Sequence, residues 1–190
     1  AHVSGLRFEY VEGACWNGSL AALKLGQVDM LPDWSKDEAV APYRDGYIAS
    51  TPYYVGTIAI VTAEQENLFA SFSQLSGKRL AIKGGGGLEL AIRRSSVPVK
   101  LVTFQNESDA LQAVVDGVAD AVLGTDASIV PQLHRQFKGR LFLSGSLWDR
   151  PYALTMVTRD DNPMLASILD KSLTAISASE ADAIRQRWQE

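Results

Sequence analysis

Leu111-Gln-Ala-Val-Val-Asp-Gly117-Val-Ala-Asp120-Ala-Val122 reads as a helix that stops on a glycine, turns, and re-enters the core as a buried strand. Gly117 stands where a helix C-terminus favours a left-handed residue, and the apolar run after it has strand character. An earlier stretch repeats the pattern: Leu20-Ala-Ala-Leu-Lys-Leu-Gly26-Gln-Val-Asp29-Met-Leu31. In both, Gly stands six positions after Leu and Asp three positions after Gly. Two readings stand. Any αβ unit resembles this one, or the chain holds two similar lobes with a ligand cleft between them.

Working outward, strands and helices alternate. Downstream of Asp120, residues 127–138 read as a helix, with strands at Arg140–Leu143 and Ala153–Thr158. Pro163 takes a favoured first helical position, and Met164, Leu165, Ile168, Leu169, Leu173 and Ile176 make one apolar stripe. A last helix opens near Ser179 and Asp182, with Ile184 and Trp188 on one side. Upstream of Leu111, Asn106 and Asp109 form a capping pair, preceded by strands at Lys100–Phe104 and Arg79–Ile82 and a short helix at Leu88–Arg94. Residues 57–62 read as a strand, 32–52 as irregular chain, 16–25 as a helix and 6–10 as a short strand. This alternation predicts an α/β architecture with largely parallel pairing.

Composition narrows the function. The chain has 190 residues, 46% of them apolar, and a net charge of −4, enough to bury a core and unlike a disordered chain. No stretch approaches the ~18 uninterrupted apolar residues of a membrane span. The acidic balance, with no Lys/Arg run longer than two, argues against nucleic acid as a partner. A single Cys15 cannot form an internal disulfide. The chain opens on no signal-peptide pattern and reads as a processed protein or an excised piece. His2 and His134 with one Cys make no zinc set, and G-x-S-x-G is absent. Gly84–Gly87 is no nucleotide loop, because Leu88 and Glu89 occupy the required positions. No cofactor and no metal is implied.

Several segments together resemble the bacterial extracellular solute-binding proteins of family 3. They are Leu20…Gly26-Gln-Val-Asp29 followed by Ser50-Thr51-Pro52-Tyr53-Tyr54; Leu75-Ser-Gly77-Lys-Arg-Leu-Ala-Ile82 with Gly84; Asp109-Ala-Leu111…Gly117…Asp120-Ala121-Val122; and Asp161-Asn-Pro163…Leu165…Ile168-Leu169…Leu173…Ile184…Trp188. The resemblance runs from about residue 6 to 188. It implies a two-lobed, periplasmic-binding-protein-like α/β fold, a Venus flytrap. Lobe 1 would comprise residues 1–56 and 153–190, and lobe 2 residues 57–152. Thr57–Thr62 and Ala153–Thr158 would be the hinge strands. The family's opening strand and helix have no counterpart before Leu6, so lobe 1 is expected to be N-terminally truncated. The tail Ser177-Ala-Ser179-Glu180…Ile184-Arg-Gln-Arg187-Trp188 looks like flytrap domains fused to histidine kinases or diguanylate cyclases.

The resemblance implies an extracytoplasmic domain, not an enzyme, that binds an amino-acid-like or carboxylated solute as a sensor. Its alternative is a transport receptor serving a membrane permease, with an enzyme on the same scaffold behind both. The parent would be membrane-anchored in the first case, and a homodimer is compatible with it. Arg44, the resemblance's candidate for a carboxylate clamp, reads equally as a loop arginine paired with Asp45 or Asp37. Asp126 suits a ligand ammonium or a helix N-cap, and both hold if Thr125 caps. Gly85, Gly86 and Gly87 offer backbone N–H groups to a carboxylate, or form a plain turn. Asp33, Trp34 and Ser35 follow the strand ending at Leu31, where open α/β sheets take ligands; Trp34 is a wall or packs its own loop. Of Tyr53 and Tyr54, one packs and one faces the cleft. Trp148 and Tyr152 rank behind these, and Trp16 and Trp188 read as core.

Overall fold

The structure is a computed structural model. It describes residues 3–12, 16–35, 45–65 and 67–189, apart from the side chains of 148–150 and 188–189. The chain divides into two compact units, Ala1–Val55 with Ala153–Glu190, and Gly56–Tyr152. Among the described residues no helix is long and apolar enough to cross a membrane.

The second unit is built on three parallel strands. β4 (Arg79–Lys83) pairs in parallel with β5 (Lys100–Phe104) on one side and with β6 (Ala121–Thr125) on the other. Helix α2 (Gly87–Arg93) links β4 to β5, and α3 (Glu107–Val115) links β5 to β6. Strand order therefore turns at β4, and the carboxyl ends of β4 and β6 lie side by side, where such sheets take ligands. β3 (Tyr54–Thr62) joins antiparallel to β6, Ile58 opposite Thr125 and Val61 opposite Val122. Helix α3 starts because the Asn106 side chain accepts the Asp109 N–H at 2.8 Å, as its capping pair predicts. Its apolar face, Ala110, Leu111 and Val114, packs with Ala81, Val122, Ile129 and Phe137.

In the first unit, α1 (Trp16–Lys24) lies on β1 (Met30–Ser35), and β2 (Tyr47–Ala49) is a short strand. Both strands pair antiparallel with the distal half of β7 (Phe142–Arg159). Leu23, Leu31, Trp34 and Val157 form the core, with Trp16, Leu20, Val28 and Tyr47 against it. Asn162 caps α5 (Pro163–Thr174) by accepting the Leu165 N–H, and α6 (Ala178–Gln189) follows.

The repeated motif is structural. Gly26 and Gly117 both take the left-handed conformation, at φ 73° and 70°. Gly26 N–H donates to Leu23 O at 3.1 Å and Gln27 N–H to Ala22 O at 2.9 Å; Gly117 N–H donates to Val114 O at 3.1 Å and Val118 N–H to Ala113 O at 2.8 Å. An arginine closes each turn. Arg159 donates to Leu23 O and Val28 O at 3.2 and 3.3 Å, and Arg79 donates to Gly117 O at 2.8 Å. Arg79 also grips Asp120 through Nη2 at 2.6 Å and through its own backbone N–H at 2.7 Å.

This grip has a pH signature. The hydrogen bond from Arg79 holds the Asp120 carboxyl below its usual range, and that from the Gly85 N–H does the same for Glu89. A depressed carboxyl stabilises the fold above its unfolded-state pKa, about 4, and loses that contribution as pH falls through the lower folded value. Asp120→Asn is thus expected to melt earlier than the wild type at pH 7 and to lose less on acidification to pH 3. An acid sensitivity unchanged by the substitution would count against this pair.

Four expectations are corrected. Residues 6–10 form no strand; Leu6 and Phe8 are half-buried and Arg7 and Glu9 exposed, so the alternation is present without a ladder. β1 does not end at Leu31 but runs to Ser35, because a bulge between Leu31 and Trp34 absorbs Pro32. Of the strand expected at Arg140–Leu143 only Phe142 and Leu143 are extended, and they and Ala153–Thr158 belong to one strand, the 18-residue β7. β4, β5 and β6 pair in parallel, whereas the pairs of β1 and β2 with β7, and of β3 with β6, are antiparallel.

Candidate functional site

In the second unit the candidate residues gather at the carboxyl ends of β4 and β6. Asp126 is the first residue of α4 (Asp126–Arg135), which starts directly from β6 with Thr125 in the N-cap position. The Thr125 hydroxyl is turned to Ser128 Oγ at 2.7 Å, and Ser128 in turn donates to Glu107 at 2.8 Å. The Asp126 carboxylate is a junction. Its Oδ1 accepts the Ala127 N–H at 2.7 Å and the Tyr152 hydroxyl at 2.8 Å. Its Oδ2 accepts the Thr57 N–H at 3.1 Å and the Thr57 hydroxyl at 3.3 Å. Burial, then the bond to Asp126, pushes the Tyr152 phenol well above its ordinary range.

At the end of β4, the glycine turn is filled from within the chain. Gly85 takes φ 86°, and its N–H donates to Glu89 Oε2 at 2.8 Å, while Glu89 Oε1 accepts from Arg93 Nε at 2.8 Å. Gly86 is the N-cap of α2, and Gly87 its first residue. The backbone donors offered to a ligand carboxylate thus include one already taken by Glu89.

In the first unit, Asp33, Trp34 and Ser35 lie within β1 and not in a loop beyond it. Trp34 is only 7% exposed. Its ring stacks at a tilt on Trp16 and Tyr47, with centroids 5.9 and 5.6 Å away, so it is part of the packed core. Tyr53 donates its hydroxyl to Pro32 O at 2.7 Å. Burial, then the charge of Asp33, pushes its phenol up to about 12. Thr51 is tied to α5, its N–H and hydroxyl both donating to Asp170, and Ser50 bonds Met156 on β7 through backbone and side chain. The Ser50-Thr51-Pro52-Tyr53 segment is therefore held at several points. Arg44 and the residues around it, 36–44, lie outside the described residues, as do the side chains of Trp148 and Trp188.

Thr57 and Glu89 escaped the sequence reading, and Tyr152 was ranked low. A carboxylate four residues after Gly85 was the available signal for Glu89; nothing local marked Thr57. Among the described residues no cluster of three His, Cys, Asp or Glu could hold a metal ion. The polar groups described here are hydrogen-bond donors and carboxylates paired with one another.

The chain is 29% identical over 186 residues to the virulence sensor protein BvgS of Bordetella pertussis, covering 97% of this chain and 15% of that protein. It is 27% identical over 154 residues to the ABC transporter arginine-binding protein 1 of Escherichia coli, covering 78% of this chain and 62% of that protein. The crystal structure of a double mutant of the B. pertussis BvgS VFT2 domain superposes with a TM-score of 0.85 at 29% identity, over 98% of this chain and 79% of that one. The chain thus spans a small part of the sensor it resembles. The family model for bacterial extracellular solute-binding proteins, family 3, matches residues 1–190. With its α/β units, each turning on the same helix–glycine–strand motif, this chain belongs to that family.

Proposed function

We propose that the chain is the extracytoplasmic, small-molecule-sensing domain of a bacterial signalling receptor such as a histidine kinase. It takes an amino-acid-like or carboxylated solute and makes or breaks no bond. Lobe 1 is residues 1–56 with 153–190 and lobe 2 is residues 57–152, closing on the solute as hinged halves. The observation that carries this reading is the likeness to a sensor protein across 97% of the chain. The binding residues are Arg44 for a carboxylate and Asp126 for an ammonium, with Thr125, Gly85, Gly86, Gly87, Asp33, Ser35 and Tyr53 around them, while Trp34 serves the core.

A thermal-unfolding screen of the 190-residue chain against the L-amino acids and small carboxylic acids tests it. At least one compound is expected to raise the melting point in a concentration-dependent way, by about 4 kcal/mol of stabilisation at a thousand times its Kd. Arg44→Ala should abolish that shift. A melting point unmoved by every compound would overturn the binding reading.

A second reading is supported by the identity to an arginine-binding transport protein: a free receptor that hands its solute to a membrane permease. The parent gene separates the two. A membrane span and a kinase or cyclase encoded downstream favour the sensor; a lone secreted receptor encoded beside a permease favours transport.

A further inference from the structure

The chain crosses between its two units twice, between Val55 and Gly56 and between Tyr152 and Ala153. Thr57 is the second residue inside the second unit on the way in, and Tyr152 is the last on the way out. Both are buried, 5% and 6% exposed, and both donate to the Asp126 carboxylate, Thr57 to Oδ2 and Tyr152 to Oδ1. Buried donors are costly to leave unpaired, so neither strand end can leave Asp126 without a new partner.

We propose that Asp126 is a clasp coupling the incoming and outgoing strands on the second unit's side of the crossings, with Thr57 and Tyr152 as positioning residues. The coupling exists without any solute. Where the binding reading above holds, a solute group that takes Asp126 must displace Thr57 or Tyr152, and occupancy is then passed to both crossings from one atom pair.

Native-state amide hydrogen exchange on the whole chain, with no solute added, tests this. Tyr152→Phe keeps the ring and removes one donor. It is expected to speed exchange at the Thr57 amide about tenfold, the loss of roughly one buried hydrogen bond, while Ile60 and Val61 stay within about twofold. Asp126→Asn should speed Thr57 similarly, and Tyr152→Phe should add nothing on top of it. An unchanged Thr57 rate in Tyr152→Phe, or effects that multiply in the double variant, would overturn the clasp. Should Asp126→Asn fail to fold, the Thr57→Val and Tyr152→Phe pair serves instead: melting-point shifts that fall short of their sum support coupling, and additive shifts refute it. Because no solute enters the measurement, failure of the clasp and failure of the binding reading are told apart.

Discussion

Gly145→Ala is expected to destabilise the second unit by at least ~3 kcal/mol, lowering the melting point by roughly 6–12 °C. A Cβ at this position would lie 2.1 Å from the carbonyl oxygen of Phe69 and 3.1 Å from its carbonyl carbon. Those are backbone atoms, so no side chain can swing aside. The contact is also a working one. Phe69 N–H donates to Ser144 O at 2.7 Å, Phe69 and Gly145 form a parallel bridge, and Ser144 shares a buried 2.6 Å hydrogen bond with Thr62. Pushing Phe69 away leaves these groups poorly paired. The need is for space and not for an unusual dihedral, since Gly145 is not among the glycines with positive φ. Thermal unfolding checks this; a melting point within about 2 °C of wild type would show that the two segments do not approach so closely.

Leu111→Ala is the second large effect. Leu111 has no exposed surface, and it packs among Ala59, Val61, Ala81, Val122 and Ile129 under α3. Truncation removes three carbons' worth of burial and leaves a cavity that the sheet above it cannot collapse, a loss of about 3–4 kcal/mol. Leu143→Ala provides the control. That side chain is 50% exposed, so its truncation should cost less than about 1 kcal/mol. Urea midpoints for the two variants should differ widely at unchanged m-value. Equal midpoints would mean that Leu111 is not in the core.

Much of the fold was legible because local chemistry agreed with its context. Lys100–Phe104 is bounded as its apolar run suggests, and Asn106 marks a helix start by the hydrogen bond its side chain accepts, Pro163 by its fixed φ and missing N–H. The misreadings share a cause, which is that strand punctuation was judged without its neighbours. A strand ending at Leu143 and another starting at Ala153 are expected from the sequence, yet β7 runs on between them through Gly145 and Pro151, and Phe69 leaves room only for glycine at 145. Pro32 resembled the end of a strand, and a bulge carries β1 past it. Conversely, Leu6 to Tyr10 has a strand's alternation, but alternation alone supplies no partner.

At the candidate site the sequence marked Asp126 for two roles, helix start and acceptor. What it could not display is distance closed by folding. The donors that meet Asp126 come from Thr57, 69 positions away, and Tyr152, 26 positions away. Trp34 illustrates the same limit in reverse. An aromatic beside a strand suggested an open wall, and Trp16 and Tyr47 cover it instead.

The pairing of β1 and β2 with β7 carries a consequence for biosynthesis. Both ladders use residues between Leu154 and Arg159, whereas β4, β5 and β6 find one another within Arg79–Thr125. A ribosome therefore releases everything the parallel trio requires before it has made the partner for Met30 or Tyr47. Those early segments must wait for more than a hundred further peptide bonds before they can lock into place.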